Sequence, residues 1–165
     1  MEIRLEIIRK FNNNDLNQMI NIWNEVVDTG NAFPQNKPLT ENNTNNFFSE
    51  QTFTGVLEIS GEILGLYILH PNNVGRCSHI ANASYAVKIG QRGKRIGEKL
   101  ILHSMETAKN FKYRILQFNA VTVTNTGALH LYKKLGFTQL GTIPGGFLNK
   151  DDEYIDIIPH YKELI

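Results

Sequence analysis

Eight residues, Gly90-Gln91-Arg92-Gly93-Lys94-Arg95-Ile96-Gly97, constrain this chain more than any other segment. They join an apolar stretch that reads as a strand, residues 78–88, to a long amphipathic stretch that reads as a helix, residues 94–111. Ile96, Leu100, Ile101, Met105, Ala108 and Phe111 recur along the helix on one face. Such a turn belongs to a fold in which helices pack on a sheet. Glycine permits the tight turn and a close approach of a ligand to the backbone. The first N–H groups of the helix lack intrahelical partners and favour an anion. Arg92, Lys94 and Arg95 place positive charge where it opposes the helix dipole, at about 0.3–1 kcal/mol each. An anion seated there offsets that cost. Neither GxxxxGK[ST] nor GxGxxG is present, because the glycines fall at 90, 93 and 97.

The remaining pattern alternates strand and helix periods. Residues 3–8 read as a first strand, and Asn12-Asn13-Asn14-Asp15 supplies N-cap chemistry. Leu16, Met19, Ile20, Trp23, Val26 and Val27 follow at helical spacing until Gly30. Residues 31–39 hold two prolines and read as a loop, and residues 40–51 as a short helix anchored in the core by Phe47 and Phe48. Residues 53–59 and 63–70 form a hairpin across Ser60-Gly61-Glu62. Residues 71–75 are a loop and 115–123 a strand. Residues 127–135 are a helix stopped by Gly136. Residues 137–143 and 153–158 are the final strands. The order β-α-α-β-β-β-α-β-α-β-β, without repeat or linker, predicts one α/β (α+β) domain over residues 1–165.

Charge narrows the partners. Seventeen basic and sixteen acidic side chains leave a net charge of +1, against the basic excess of a nucleic-acid binder. The single cysteine, Cys77, reads as an inert thiol, and no Cys/His spacing suggests a metal. Charges at positions 2, 4 and 6 are unlike a signal peptide. The longest apolar run, residues 63–69, is far short of the roughly 20 residues that cross a bilayer. No membrane partner is expected, and the cytoplasm is the default location.

A second motif sets the direction. Asn125-Thr126-Gly127-Ala128-Leu129-His130-Leu131-Tyr132-Lys133-Lys134-Leu135-Gly136-Phe137 resembles the Asn, Ala, Leu-Tyr, Lys-Leu-Gly-Phe pattern of the GNAT superfamily of N-acetyltransferases. Residues 87–97 are similar to that superfamily's Val-x-x-x-x-Arg-Gly-x-Gly-x-Gly, and the two motifs fall in the expected order. The resemblance implies a mixed, mostly antiparallel sheet splayed between its fourth and fifth strands. It implies acetyl-CoA in the cleft, with pyrophosphate on the amides of Arg92, Gly93, Lys94, Arg95, Ile96 and Gly97. Pantetheine is expected along the strand ending at Val87, against Asn125 and Ala128, with Tyr132 near the sulfur. One departure is Arg95, where the superfamily usually has glycine. Its backbone N–H remains, and its guanidinium can pair with phosphate.

Two further stretches, His79-Ile80-Ala81-Asn82-Ala83 and residues 118–125, look like the yeast acetyltransferases that detoxify proline analogues such as azetidine-2-carboxylate. That likeness implies that Asn82, Asn119 and Asn125 line the active site. In the implied reaction a neutral amine attacks the thioester directly within a ternary complex, and a phenol, Tyr132, protonates the leaving thiolate. Residues 78–88 contain no Asp or Glu, so the base is either His79 or water held by Asn82 and Asn119. Uncharged asparagines suit an acceptor that carries a carboxylate beside its amine. A non-catalytic acyl-CoA-binding module, to which Arg95 points, and a peptide N-acetyltransferase are the alternatives. A homodimer is compatible with all three.

Overall fold

The computed structural model describes residues 5–165. Eight strands form one sheet in the order β1-β2-β3-β4-β5-β8-β6, with β7 also paired to β8. They are β1 (Glu6–Lys10), β2 (Phe53–Ile59), β3 (Glu62–Pro71), β4 (Ile80–Val87), β5 (Ile115–Thr122), β6 (Thr138–Gln139), β7 (Ile143–Leu148) and β8 (Tyr154–Glu163). Residues 3 and 4 of the expected first strand lie outside the described residues. The helices are α1 (Leu16–Thr29), α2 (Glu41–Ser49), α3 (Ile96–Asn110) and α4 (Thr126–Lys134). Among the described residues no helix is long and apolar enough to cross a membrane.

Strand periodicity divides the core in two. Val56, Leu66, Ile68 and Ala86 pack in one cluster with Trp23 of α1, Phe33 of the following loop and Phe48 of α2, and Phe47 leans on them. Leu57, Tyr67, Leu69, Ala81 and Ala83 face the other way, toward Leu100, Ile101 and Met105 of α3. Gly65 lets α3 close onto the sheet. A Cβ there would stand 2.9 Å from Ile96 Cγ2 and 3.0 Å from Leu100 Cδ1.

The sheet is splayed between β4 and β5. Those strands run parallel and pair only at Ile80↔Ile115 and Ala81↔Leu116. Their outer neighbours hold them along most of their length: β3 pairs β4 from Gly65↔Val87 to Pro71↔Ala81, and β8 pairs β5 from Glu163↔Ile115 to Ile157↔Thr122. The β5–β8 register slips between Phe118↔His160 and Val121↔Ile158, which leaves Asn119 and Ala120 opposite Pro159 alone. Proline has no N–H for the ladder, and a bulge is where a sheet tolerates it.

Three expectations need correction. The β2–β3 turn has two residues rather than three, Ser60 (φ +52°) and Gly61 (φ +87°), and Glu62 pairs with Ile59. Positive φ at both central residues is the turn that matches strand twist. The strand expected over 137–143 shrinks to β6, and a further strand, β7, appears. Pro144, Gly145 and Gly146 disguise β7, yet Gly146 is required there because a Cβ would lie 2.4 Å from Ile157 Cγ1. Strand β8 continues past Pro159 for the reason given above.

Candidate active site

Beyond Ala81 the inner edge of β4 has no strand partner. Lys88 N–H donates to Leu64 O at 2.9 Å and Asn72 N–H to Ile80 O at 2.7 Å. By antiparallel alternation the even-numbered residues of β4 bond β3, while Ala83, Tyr85 and Val87 turn their N–H and C=O groups into the gap. Side chains alternate as well. Asn82 and Ser84 project on the α1–α2 face, and Ala83 and Tyr85 on the α3–α4 face. All four line a cleft of about 270 Å³ that passes through the sheet. Phe33 and Pro34 wall one mouth, and Gly97, Asn125, Ala128 and Tyr132 wall the other. Thr122 Oγ1 donates to Asn31 O at 3.1 Å and moors the loop carrying Phe33 to β5.

The turn into α3 has positive φ at Gly90 (+82°), Gly93 (+81°) and Arg95 (+58°). The helix begins at Ile96, two residues later than its pattern predicts, and Arg95 is an N-cap without a side-chain cap. The N–H groups of Ile96, Gly97 and Glu98 therefore have no capping acceptor. The guanidinium of Arg95 is exposed and already paired on one edge, while NH1 has no partner among the described residues. Its Nε and NH2 donate to both Glu98 oxygens at 3.0 Å, and Lys134 Nζ of α4 donates to Glu98 Oε2 at 3.0 Å. Arg95 and then Lys134 hold the Glu98 carboxyl down at about 2. Arg92 and Lys94 are exposed, and Lys94 Nζ donates to Gln91 Oε1 at 2.7 Å. Arg92, Gly93, Lys94, Arg95 and Ile96 stand at the α3 N-terminus, outside the enclosed part of the cleft, and so does Val87 at the end of β4.

A left-handed arginine costs about 1–2 kcal/mol. Arg95→Ala keeps that strain and loses the pair to Glu98, whereas Arg95→Gly relieves it. The glycine variant is expected to be the more stable of the two by about 1 kcal/mol in urea unfolding, after allowing for glycine's extra chain entropy. Equal midpoints would show that the left-handed backbone carries no strain.

Three phenols on the α3–α4 face differ in where their protons go. Tyr85 Oη pairs with Ser104 Oγ at 2.7 Å, and Ser104 in turn donates to Ile101 O at 2.7 Å, so Tyr85 is the donor of the first bond. Tyr67 Oη donates to Thr107 Oγ1 at 3.1 Å. The Tyr132 hydroxyl has no hydrogen-bond partner among the described residues. Its ring lies 4.5 Å from that of Phe118 and 5.5 Å from those of Phe137 and His160. Burial pushes its pKa well above that of an ordinary phenol, so it stays protonated. His160 is fully buried, with Nδ1 on Ile158 O at 2.7 Å and Nε2 without a partner.

Asn125 Oδ1 accepts the Ala128 N–H at 3.2 Å and starts α4. Asn82 and Asn119 meet at Asn72, whose Oδ1 accepts Asn82 Nδ2 at 3.2 Å and Asn119 Nδ2 at 2.7 Å. The structure thus gathers Asn82, Asn119, Asn125, Ala128, Tyr132 and Gly97. It leaves His79 exposed and off the cleft lining, so the residue weighed as a base is not brought to the site. Sequence reasoning missed Asn72, Phe33, Pro34 and Tyr85. Only the signal for Tyr85, an aromatic at an inward-facing position of β4, was readable.

Comparison with known proteins agrees with this fold. The sequence model of the acetyltransferase (GNAT) family matches residues 17–137. N-acetyltransferase aca1 of Schizosaccharomyces pombe is 27% identical over 151 residues, 81% of this chain and 72% of that protein. The structure of a GCN5-related N-acetyltransferase from Kribbella flavida superposes with a TM-score of 0.88 at 27% identity, covering 96% of this chain and 97% of that one. The GNAT superfamily phosphinothricin acetyltransferase from Sinorhizobium meliloti, solved in complex with acetyl-CoA, superposes with a TM-score of 0.88 at 18% identity, covering 96% and 88%.

Proposed function

Because the chain belongs to the GNAT acetyltransferase family, we propose that it transfers the acetyl group of acetyl-CoA to the amine of a small amino acid or analogue, acting as one domain over residues 1–165. The observation that carries this reading is the cleft through the sheet, with anion-seeking and proton-donating groups on one face and uncharged amides on the other. Acetyl-CoA fits the α3–α4 side. The uncapped N–H groups at Ile96, Gly97 and Glu98 suit its pyrophosphate, together with the turn from Arg92 to Arg95. The unpaired backbone edge at Ala83, Tyr85 and Val87 suits the amides of its pantetheine, as does Asn125. Arg95, which favours a non-catalytic module, adopts a left-handed backbone of the kind glycine permits, which supports keeping its N–H among the groups proposed for pyrophosphate.

The amine enters past Phe33 and Pro34 on the opposite face. Its nitrogen forms the new bond to the acetyl carbon, and the carbon–sulfur bond breaks. A backbone N–H of the β4 edge near Val87 stabilises the developing oxyanion. The Tyr132 proton goes to the thiolate, while the amine's proton leaves through water held near Asn82 and Asn119. Holding the two reactants in line supplies much of the rate. The phosphinothricin enzyme, which shares the fold, is named for an amino-acid acceptor. Within that class, the stretches around Asn82 and Asn119 favour proline analogues such as azetidine-2-carboxylate.

Mass spectrometry of an amine and amino-acid panel incubated with acetyl-CoA tests the assignment. Acetylated amino acids and stoichiometric free CoA are expected. Acetylation of polyamines or peptide N-termini alone would overturn the acceptor class, and hydrolysis or binding without transfer would overturn the enzyme.

A further inference from the structure

We propose that Asn72 is a specificity-determining residue: it fixes the amides of Asn82 and Asn119 so that their remaining N–H groups meet the acceptor's carboxylate. The inference rests on the acceptor reading above and adds a residue that touches neither substrate. Asn72 lies just beyond β3, outside the cleft lining, and its position is set by its own N–H on Ile80 O at 2.7 Å. At that point β4 and β5 have just parted. One oxygen, Asn72 Oδ1, bridges them by accepting from Asn82 on β4 and from Asn119 on β5.

Counting donors and acceptors shows what the cluster offers. An amide oxygen has two lone pairs, and both on Asn72 are taken. Asn119 Oδ1 is occupied by Gln117 Nε2 at 3.1 Å. Asn82 and Asn119 each keep one N–H free, Asn82 Oδ1 has no partner among the described residues, and the two N–H groups of Asn72 lie off the cleft lining. The cluster is uncharged: the free N–H groups of Asn82 and Asn119 complement a carboxylate, and Asn82 Oδ1 can accept from the amine beside it. No Asp or Glu occurs in residues 78–88 or 115–124 to reverse that balance. Without Asn72 the two amides lose their shared anchor. Each could then turn half a revolution about its last torsion and present oxygen where nitrogen is needed.

Two variants and two probes test this. The probes are azetidine-2-carboxylate and azetidine, which share the amine and differ in the carboxylate. Asn72→Ala is expected to lower kcat/KM for the acid by roughly 10-fold, mainly through KM, as for one lost hydrogen bond to a charged group. Its effect on azetidine should stay within about threefold, since that probe has no carboxylate to lose the contact. Asn72→Asp can only accept, so it holds both amides in the same sense. It should return azetidine turnover to the wild-type level and leave the acid impaired, because its charge lies near the carboxylate. Unfolding midpoints with and without acetyl-CoA confirm that each variant folds. Wild-type kinetics with the acid in Asn72→Ala, or equal losses for the two probes in that variant, would overturn the proposal. Failure of the acceptor reading looks different: the wild-type protein then acetylates neither probe, or prefers azetidine, and the role of Asn72 falls with it.

Discussion

Tyr132→Phe is expected to lower kcat by about 10²-fold, within the usual range for loss of a general acid, while acetyl-CoA still raises the melting temperature as it does for wild type. The hydroxyl is the only part removed, and the ring keeps its contacts with Phe118, Phe137 and His160. No protein hydrogen bond is lost, so the variant should fold with unchanged stability. The proton matters because sulfur protonated as it departs, giving a thiol of pKa about 8.5 in its simple form, is a better leaving group than the bare thiolate. Tyr85, the other phenol lining the cleft, has its proton committed to Ser104 and cannot substitute without breaking that bond. Burial raises the Tyr132 pKa, so the acid form persists through neutral and mildly alkaline pH, and kcat should not decline there through ionisation of this group. Wild-type turnover in Tyr132→Phe would reduce Tyr132 to packing and require another proton source.

Gly97→Asp should abolish acetyl-CoA binding without harming the fold. A Cβ at Gly97 would meet Leu131 Cδ2 at 3.8 Å and Val87 Cγ2 at 3.9 Å, which is ordinary contact. A carboxylate in the first turn of α3 also suits the helix dipole, by about 0.3–1 kcal/mol. The free variant should therefore melt at or above the wild-type temperature. The same carboxylate occupies the N–H groups proposed for pyrophosphate and repels it. At a ligand concentration of about 100 Kd, wild type gains about 2.7 kcal/mol, or roughly 5–10 °C in a chain of this size. The variant should gain nothing. An undiminished thermal shift would move the cofactor elsewhere.

The parts of the molecule legible in the sequence are those whose physics is local. The α3 and α4 helices, the Gly90–Gly97 turn and Tyr132 follow from periodicity, caps and one motif each. Strand β7 was hidden because its glycine answers a distant demand, the side chain of Ile157. Strand β8 was cut short at Pro159 because the bulge that tolerates proline belongs to another strand. Asn72 could not have been found, since only strand register places it beside residues 10 and 47 positions away. The pairing of Arg95 with Glu98 three residues on, and its left-handed backbone, are features that the sequence motif does not display.

Strand periodicity has a consequence for how such a protein diversifies. In β4, Asn82 and Ser84 line the cleft on the face proposed for the acceptor, and Ala83 and Tyr85 line it on the face proposed for the cofactor. One strand thus carries two independently editable registers, offset by a single residue. A lineage can rewrite Asn82 and Ser84 to accept a new amine while Ala83 and Tyr85, and the backbone edge between them, go on serving the same acyl donor. Substrate range then changes by point substitution, without insertion, loop exchange or any loss of the inherited chemistry.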